Sequence, residues 1–261
     1  MIRDFFEAIR FLTVLPLPGK GKGDLARAMF FFPLVGFLIG ILSLAAIQAL
    51  SLKAHFRIEA LGLVTLPLLL TGGLHADGFA DFCDGFFGGK TKEEVFRIMR
   101  DSRVGVWGVL GAVLLLLWKW ELFASLPRRG EAFLFALTAS RWSQVVLAYF
   151  LPYADPLTLS LSPKGGEGRV RGKGLGESVA KKVKVRELAG ATGFFALLVF
   201  FYHGMGVLLL LLLLPFLLGV GFFFKMRVGG VTGDLLGAAS EATELFVLLA
   251  SFLIQTGFDT I

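Results

Sequence analysis

The sequence predicts an all-α, polytopic integral membrane protein: a helical bundle of about seven spans behind an N-terminal amphipathic helix, forming one domain over residues 1–261. Three observations carry that expectation. First, 56% of the 261 residues are apolar, 28 of them Phe, and the mean hydropathy is +0.76, well above the soluble globular norm. Second, charged residues make up only 18% and gather between long apolar runs. Third, runs such as 206-GVLLLLLLLPFLLGVGFFF-224 match the roughly 20 residues that a helix needs to cross a bilayer.

The elements follow in order. Residues 1–18 pattern as an amphipathic helix lying on the membrane, ended by Pro16 and Pro18. The short apolar part of this segment carries Asp4, Glu7 and Arg10, which is not the pattern of a secretory signal. Apolar segments then predict spans at 28–51, 58–74, 104–122, 131–150, 187–203, 205–224 and 235–256, the fifth and sixth joined by a tight turn near His203-Gly204. Residues 157–174, LTLSLSPKGGEGRVRGKG, are rich in Ser, Gly and Lys without periodicity and read as an inserted flexible loop. The single cysteine, Cys83, excludes an internal disulfide.

Charge sets an orientation. With the N-terminus inside, 20 of the 26 Lys and Arg fall on the cytoplasmic side; Lys53, Arg57, Lys119, Arg128 and Arg129 fall opposite, and Arg141 lies within a span. That asymmetry follows the positive-inside rule and predicts an integral cytoplasmic-membrane protein with its N-terminus in the cytoplasm. It also accounts for the net charge of +6 without nucleic acid as a partner; the lipid bilayer is the partner implied. Most acidic residues share the cytoplasmic side, which places the chemistry there.

The chemistry centres on residues 75–103. On a helix, Asp77 and Asp81 stand at i,i+4, and Asp81 and Asp84 at i,i+3, so all three carboxylates share one face. Like charges at that spacing repel, and they cost more near a bilayer. A solvated acidic helix end is the plain alternative, but it explains one Asp more easily than three flanked by glycines. A divalent cation would neutralise the set, and oxygen ligands without a His or Cys cluster favour a hard ion, Mg²⁺ or Mn²⁺.

Other polar residues group around this run. Arg100, Asp101, Ser102 and Arg103 precede the third span; guanidinium groups there suit pyrophosphate, or serve as positive-inside anchors. Asp101 is either a further metal ligand or a partner for Arg103. In 229-GGVTGDLLGAASEATE-244, Asp234 and Glu241 share a helix face, and Glu244 follows. Helix capping explains Asp234 but not the two deeper glutamates. His75 precedes the acidic run as a substrate contact or a structural histidine. Arg141, inside a span, is a functional candidate by default, with snorkelling as its alternative.

These segments together carry a family resemblance. The runs 71-TGGLHADGFADFCDGFFGG-89 and 94-EVFRIMRDSRVGVWGV-109 resemble the signature of the cobalamin synthase family of adenosylcobinamide-GDP ribazoletransferases. The segments 10-RFLTVLPLP-18, 138-TASRW-142 and 228-VGGVTGDLLGAASEATE-244 fit the same family in order. The resemblance implies two substrates, adenosylcobinamide-GDP and α-ribazole or its 5′-phosphate, with GMP as the leaving group and a divalent metal as cofactor; a homo-oligomer is compatible with it. Under that resemblance Asp77, Asp81, Asp84 and Asp101 are the metal candidates, and Asp84 or Asp81 the base. His75, Arg100, Ser102, Arg103, Arg141, Asp234 and Glu241 are the substrate-binding candidates.

Two competing readings are weighed. CDP-alcohol phosphotransferases also place aspartates on membrane helices, but their D-G-x-x-A-R pattern requires an Arg that is absent after Asp77-Gly78. A transporter would carry its acids near the midplane on broken helices in paired halves, whereas these acids fall at predicted span ends beside basic loops.

Overall fold

The computed structural model describes residues 1–18, 23–50, 55–154 and 183–257. The 157–174 loop expected from composition lies outside them. Helix α1 spans Ile2–Leu12 and buries Ala8 and Leu12 while leaving Ile2 and Phe6 exposed. It stops at extended Thr13, ahead of the prolines, and the chain is then pinned by the Val14 amide, which donates to the Leu70 carbonyl at 2.8 Å.

Helix α2 (Leu25–Ala28) runs through a short 3₁₀ turn into α3 (Phe32–Ala49). Asp24 caps α2 by accepting from the Ala26 amide at 3.0 Å. Helix α4 (Phe56–Leu70) is followed after three residues by α5 (Leu74–Gly88), and the two axes meet at 92°. The turn is made by Gly72 and Gly73, with φ of +60° and +72°, a conformation that side chains with a Cβ rarely adopt. The Gly73 amide closes the end of α4 by donating to the Leu68 carbonyl. Helix α6 (Lys92–Met99) opens with a Thr91/Glu94 capping box and folds back onto α5.

The remaining helices are α7 (Val106–Ser125), α8 (Arg129–Phe150), α9 (Val185–Phe201), α10 (His203–Val228) and α11 (Gly233–Gly257). A tight turn at His203, at φ +51°, separates α9 from α10, as the sequence predicts. Each of the seven predicted spans contains a helix among the described residues. Among the described residues, four helical stretches are long and apolar enough to cross a membrane: Leu25–Ala49, α7, α10 and α11. The bent α4–α5 pair brings the number to five if it counts as one span. The difference from seven has physical causes. Helix α9 has 17 residues, and α4 and α5 have 15 each. Helix α8 is long enough but carries Arg141, Gln144, Ser140 and Ser143, and 15 of its 22 residues are buried by protein.

Helix α8 packs most extensively on α3 and α11, and α11 on α8 and α5. The acidic helix α5 therefore sits inside the bundle, wedged between α7, α11 and α6. By contrast α7 and α10 leave apolar faces exposed, including Leu110, Leu114 and Trp118, and Leu211, Leu218 and Phe222. Such faces suit lipid hydrocarbon.

Candidate active site

The three aspartates of α5 lie along one side of the helix but in different surroundings. Asp77 is exposed, Asp81 half-buried and Asp84 buried. The first turn of α11 lies across them. A Cβ at Gly78 would stand 2.7 Å from the Asp234 carbonyl oxygen and 3.1 Å from its Cα, so the lack of a side chain at Gly78 permits the close approach. Asp234 thereby joins the α5 acids: its carboxylate, with those of Asp77 and Asp84, repels that of Asp81. Thr232, not Asp234, caps α11, accepting from the Leu235 amide at 3.3 Å. That leaves Asp234 available to the site.

Asp84 has a structural task. Its Oδ2 accepts the Gly105 amide at 2.6 Å, and its Oδ1 accepts the Gly108 amide at 2.7 Å. It caps the N-terminus of α7 from another helix, supplying the anion that the helix dipole favours where Gly105 has no side chain to do so. Cβ atoms at Gly105 and Gly108 would lie 2.9 and 3.0 Å from Asp84 Cγ, so glycine is needed at both. Both Asp84 oxygens are thus committed to the start of α7, whereas Asp81 has no such amide partner among the described residues.

The segment after α6 is exposed. Arg103 donates through Nε to Asp101 Oδ1 at 3.0 Å and through Nη2 to Oδ2 at 2.7 Å. This bond holds the Asp101 carboxyl down at about 2. The two residues engage each other rather than the α5 acids. Ser102 and Arg100 are also exposed, Arg100 at the C-cap of α6.

A second polar cluster lies deeper, among α5, α7, α8 and α11. The charge partition counted Lys119 among the outer charges; in the structure it is 5% exposed, inside the bundle, and ion-paired with Glu241 and, at 2.9 Å, with Glu244. Glu241 therefore serves a buried ion pair about 12 Å along α11 from its start, not the company of Asp234 that its i,i+7 spacing suggested. Arg141 donates to Ser240 Oγ at 2.7 Å and to Ser140 Oγ at 2.9 Å, and both glutamates attract it. Its Nε, His75 Nδ1 and Gln144 Nε2 have no hydrogen-bond partner among the described residues. His75 is buried against Gly237, in the positive field of Arg141 and Lys119. Lys119, Glu241, Glu244 and Arg141 carry two charges of each sign, the neutral total that a low-dielectric interior requires. Lys119 has no local signal in the sequence; only its position in an apolar run, four residues from either Leu115 or Phe123 on the buried face, hints at burial.

The donor chemistry suits a hard divalent cation. Asp77, Asp81 and Asp234 offer only oxygen, and no ion pair neutralises them among the described residues. Their oxygens do not converge to ligand spacing among the described residues, so a cation would have to draw these side chains inward.

The profile of the family described as cobalamin-5-phosphate synthase matches residues 4–252. The chain is 37% identical over 266 residues to the adenosylcobinamide-GDP ribazoletransferase of Chlorobium phaeovibrioides, covering 99% of this chain and 100% of that protein. It is 34% identical to the proteins of the same name from Prosthecochloris aestuarii and Escherichia coli, covering 97% and 96% of this chain and 99% of each of them. No solved structure matches. A match that begins in α1 and ends in α11 takes in both the acidic helix and the helix that closes over it, and on that full-length correspondence the chain belongs to the cobalamin-5-phosphate synthase family.

Proposed function

We propose that the chain is an adenosylcobinamide-GDP ribazoletransferase of the cytoplasmic membrane, with its N-terminus and acidic site facing the cytoplasm. Full-length similarity to transferases of that name supports the activity. The observation that carries the chemistry is the gathering of Asp77, Asp81 and Asp234 on two packed helices with no ion-pair partner among the described residues. In the reaction, an oxygen of the α-ribazole ribose forms a bond to the phosphorus on the cobinamide side of the pyrophosphate. The bond from that phosphorus to the GMP oxygen breaks, and GMP leaves. Bound at Asp77, Asp81 and Asp234, Mg²⁺ would neutralise pyrophosphate charge, the main need of phosphoryl transfer. Asp81, half-buried among like charges, takes the proton of the attacking hydroxyl. Asp84 holds the start of α7 against α5 and so keeps the acids in register.

The test is GMP release by the purified full chain in detergent, with adenosylcobinamide-GDP, α-ribazole and Mg²⁺. Asp77→Asn and Asp81→Asn are expected to lose GMP release by at least about a hundredfold while keeping the wild-type melting temperature. Wild-type turnover in both variants would sink the site assignment. Release of CMP from a CDP-lipid instead would move the chain to the CDP-alcohol reading.

A further inference from the structure

A groove of about 860 Å³ opens beside the acidic helix, within the range of small-molecule sites. Its walls come from three places. The last turn of α1 and the chain after it contribute Phe11 and Val14, the α4–α5 break contributes Gly72 and Gly73, and facing sides of α5 and α7 complete it. The lining is mainly apolar. Asp77 is its one charged residue, and no Lys or Arg contributes to it among the described residues. The α7 wall includes Gly108, whose amide is bonded to Asp84, so the inner end of the groove abuts the acid cluster.

Charge decides which substrate suits it. A GDP-activated corrinoid brings a pyrophosphate, which belongs with the cation at the acid cluster; beyond Asp77 the apolar lining offers such an anion no Lys or Arg. The other reactant is a nucleoside whose base is flat, heteroaromatic and neutral, and whose ribose hydroxyls can donate to a carboxylate. We infer that the groove is the acceptor subsite: it takes the heteroaromatic base of α-ribazole between the α7 wall and Val14, and Asp77 receives the ribose at its inner end. The assignment rests on the transferase reading above. It gives Asp77 a second task, and it makes Val109 and Ala112 determinants of acceptor affinity.

Steady-state GMP release, with each substrate varied in turn, tests it in the full chain. Ala112→Phe fills the groove, whereas Leu117→Phe, on the exposed face of α7 outside the groove, is the control. The expected result is an acceptor KM raised roughly tenfold or more in Ala112→Phe, with the donor KM and the kcat at saturating acceptor within about twofold of wild type. The rise should be equal for α-ribazole and its 5′-phosphate, which share the base. Val109→Gln, an exposed change that spares the core, is expected to raise the acceptor KM in the same direction and keeps the test alive if Ala112→Phe does not fold. An unchanged acceptor KM in both variants, as for a groove that holds only a lipid chain, overturns the assignment. So does an equal rise in donor KM, or a rise confined to the phosphorylated acceptor. Those outcomes leave the transferase reading standing, because the wild type still releases GMP; a wild type that releases none overturns the transferase reading and the subsite with it.

Discussion

Asp84 shows how one residue can be placed by sequence and still be given a different task by the fold. Its helical spacing with Asp77 and Asp81 is legible in the chain. Its partners, the amides of Gly105 and Gly108, lie 21 and 24 residues away, where no periodicity links them. Asp84→Ala would leave two amides at the start of α7, one part-buried and one buried, without an acceptor, at a cost of roughly 1–3 kcal/mol. A lower melting temperature is the expected outcome, with GMP release falling in parallel. Gly108→Ala should copy that phenotype, because its Cβ would displace the same carboxylate; a stable, fully active Gly108→Ala protein would refute the capping role. Asp101 behaves differently. Its carboxyl is held down at about 2 by the hydrogen bond from Arg103, so the pair is complete above the ordinary carboxylate range and is lost only as pH falls toward that value. The pH–rate profile of Asp101→Asn is expected to match the wild type in shape between about pH 4 and 9.

At the scale of elements, the acidic site is a contact between α5 and the first turn of α11, and the deeper ion cluster locks α11 to α7. Lys119→Met would leave two buried glutamates facing one Arg141, and breaking a buried pair typically costs about 3–5 kcal/mol. Adding Glu241→Gln restores charge balance, so the double variant should melt closer to wild type than the single one. A double variant no better than Lys119→Met would show that charge balance is not what the cluster provides. The sequence announced the helices themselves, because apolar runs and glycine or proline breaks are local signals. It did not announce the 92° bend at Gly72-Gly73, which turns an expected cytoplasmic segment into an interior helix. Nor did it pair Lys119 with Glu241 and Glu244, since a lysine amid leucines reads as a loop-side charge until a partner helix is placed against it.

For the whole molecule, the bundle sets a polar, charged cluster within an otherwise apolar core and turns further apolar faces of α7 and α10 outward. Helix α8 illustrates the division: its arginine, serines and glutamine were legible as unusual for a span, and packing on both α3 and α11 is the reason they are tolerated. The two ends of α7 lie about 30 Å apart, which makes orientation measurable. In a Cys83→Ser background, Lys92→Cys in intact cells should resist a membrane-impermeant maleimide until the cytoplasm is opened. Arg128→Cys, past the other end of α7, should react from outside. The reverse pattern would invert the proposed topology.

The bend between α4 and α5 also bears on how the protein is made. Helix α5 is 15 residues long with three aspartates, too short and too acidic to be inserted as a span of its own. Its broadest packing partner is α11, which starts at Gly233, almost 150 residues later in the chain. During synthesis the acidic helix must therefore wait, with only α6 and α7 beside it, while most of the bundle is laid down around the place it will occupy. Assembly of the site becomes a closing event of biogenesis, and a nascent chain arrested before its last helix would hold every aspartate of α5 and still be inert.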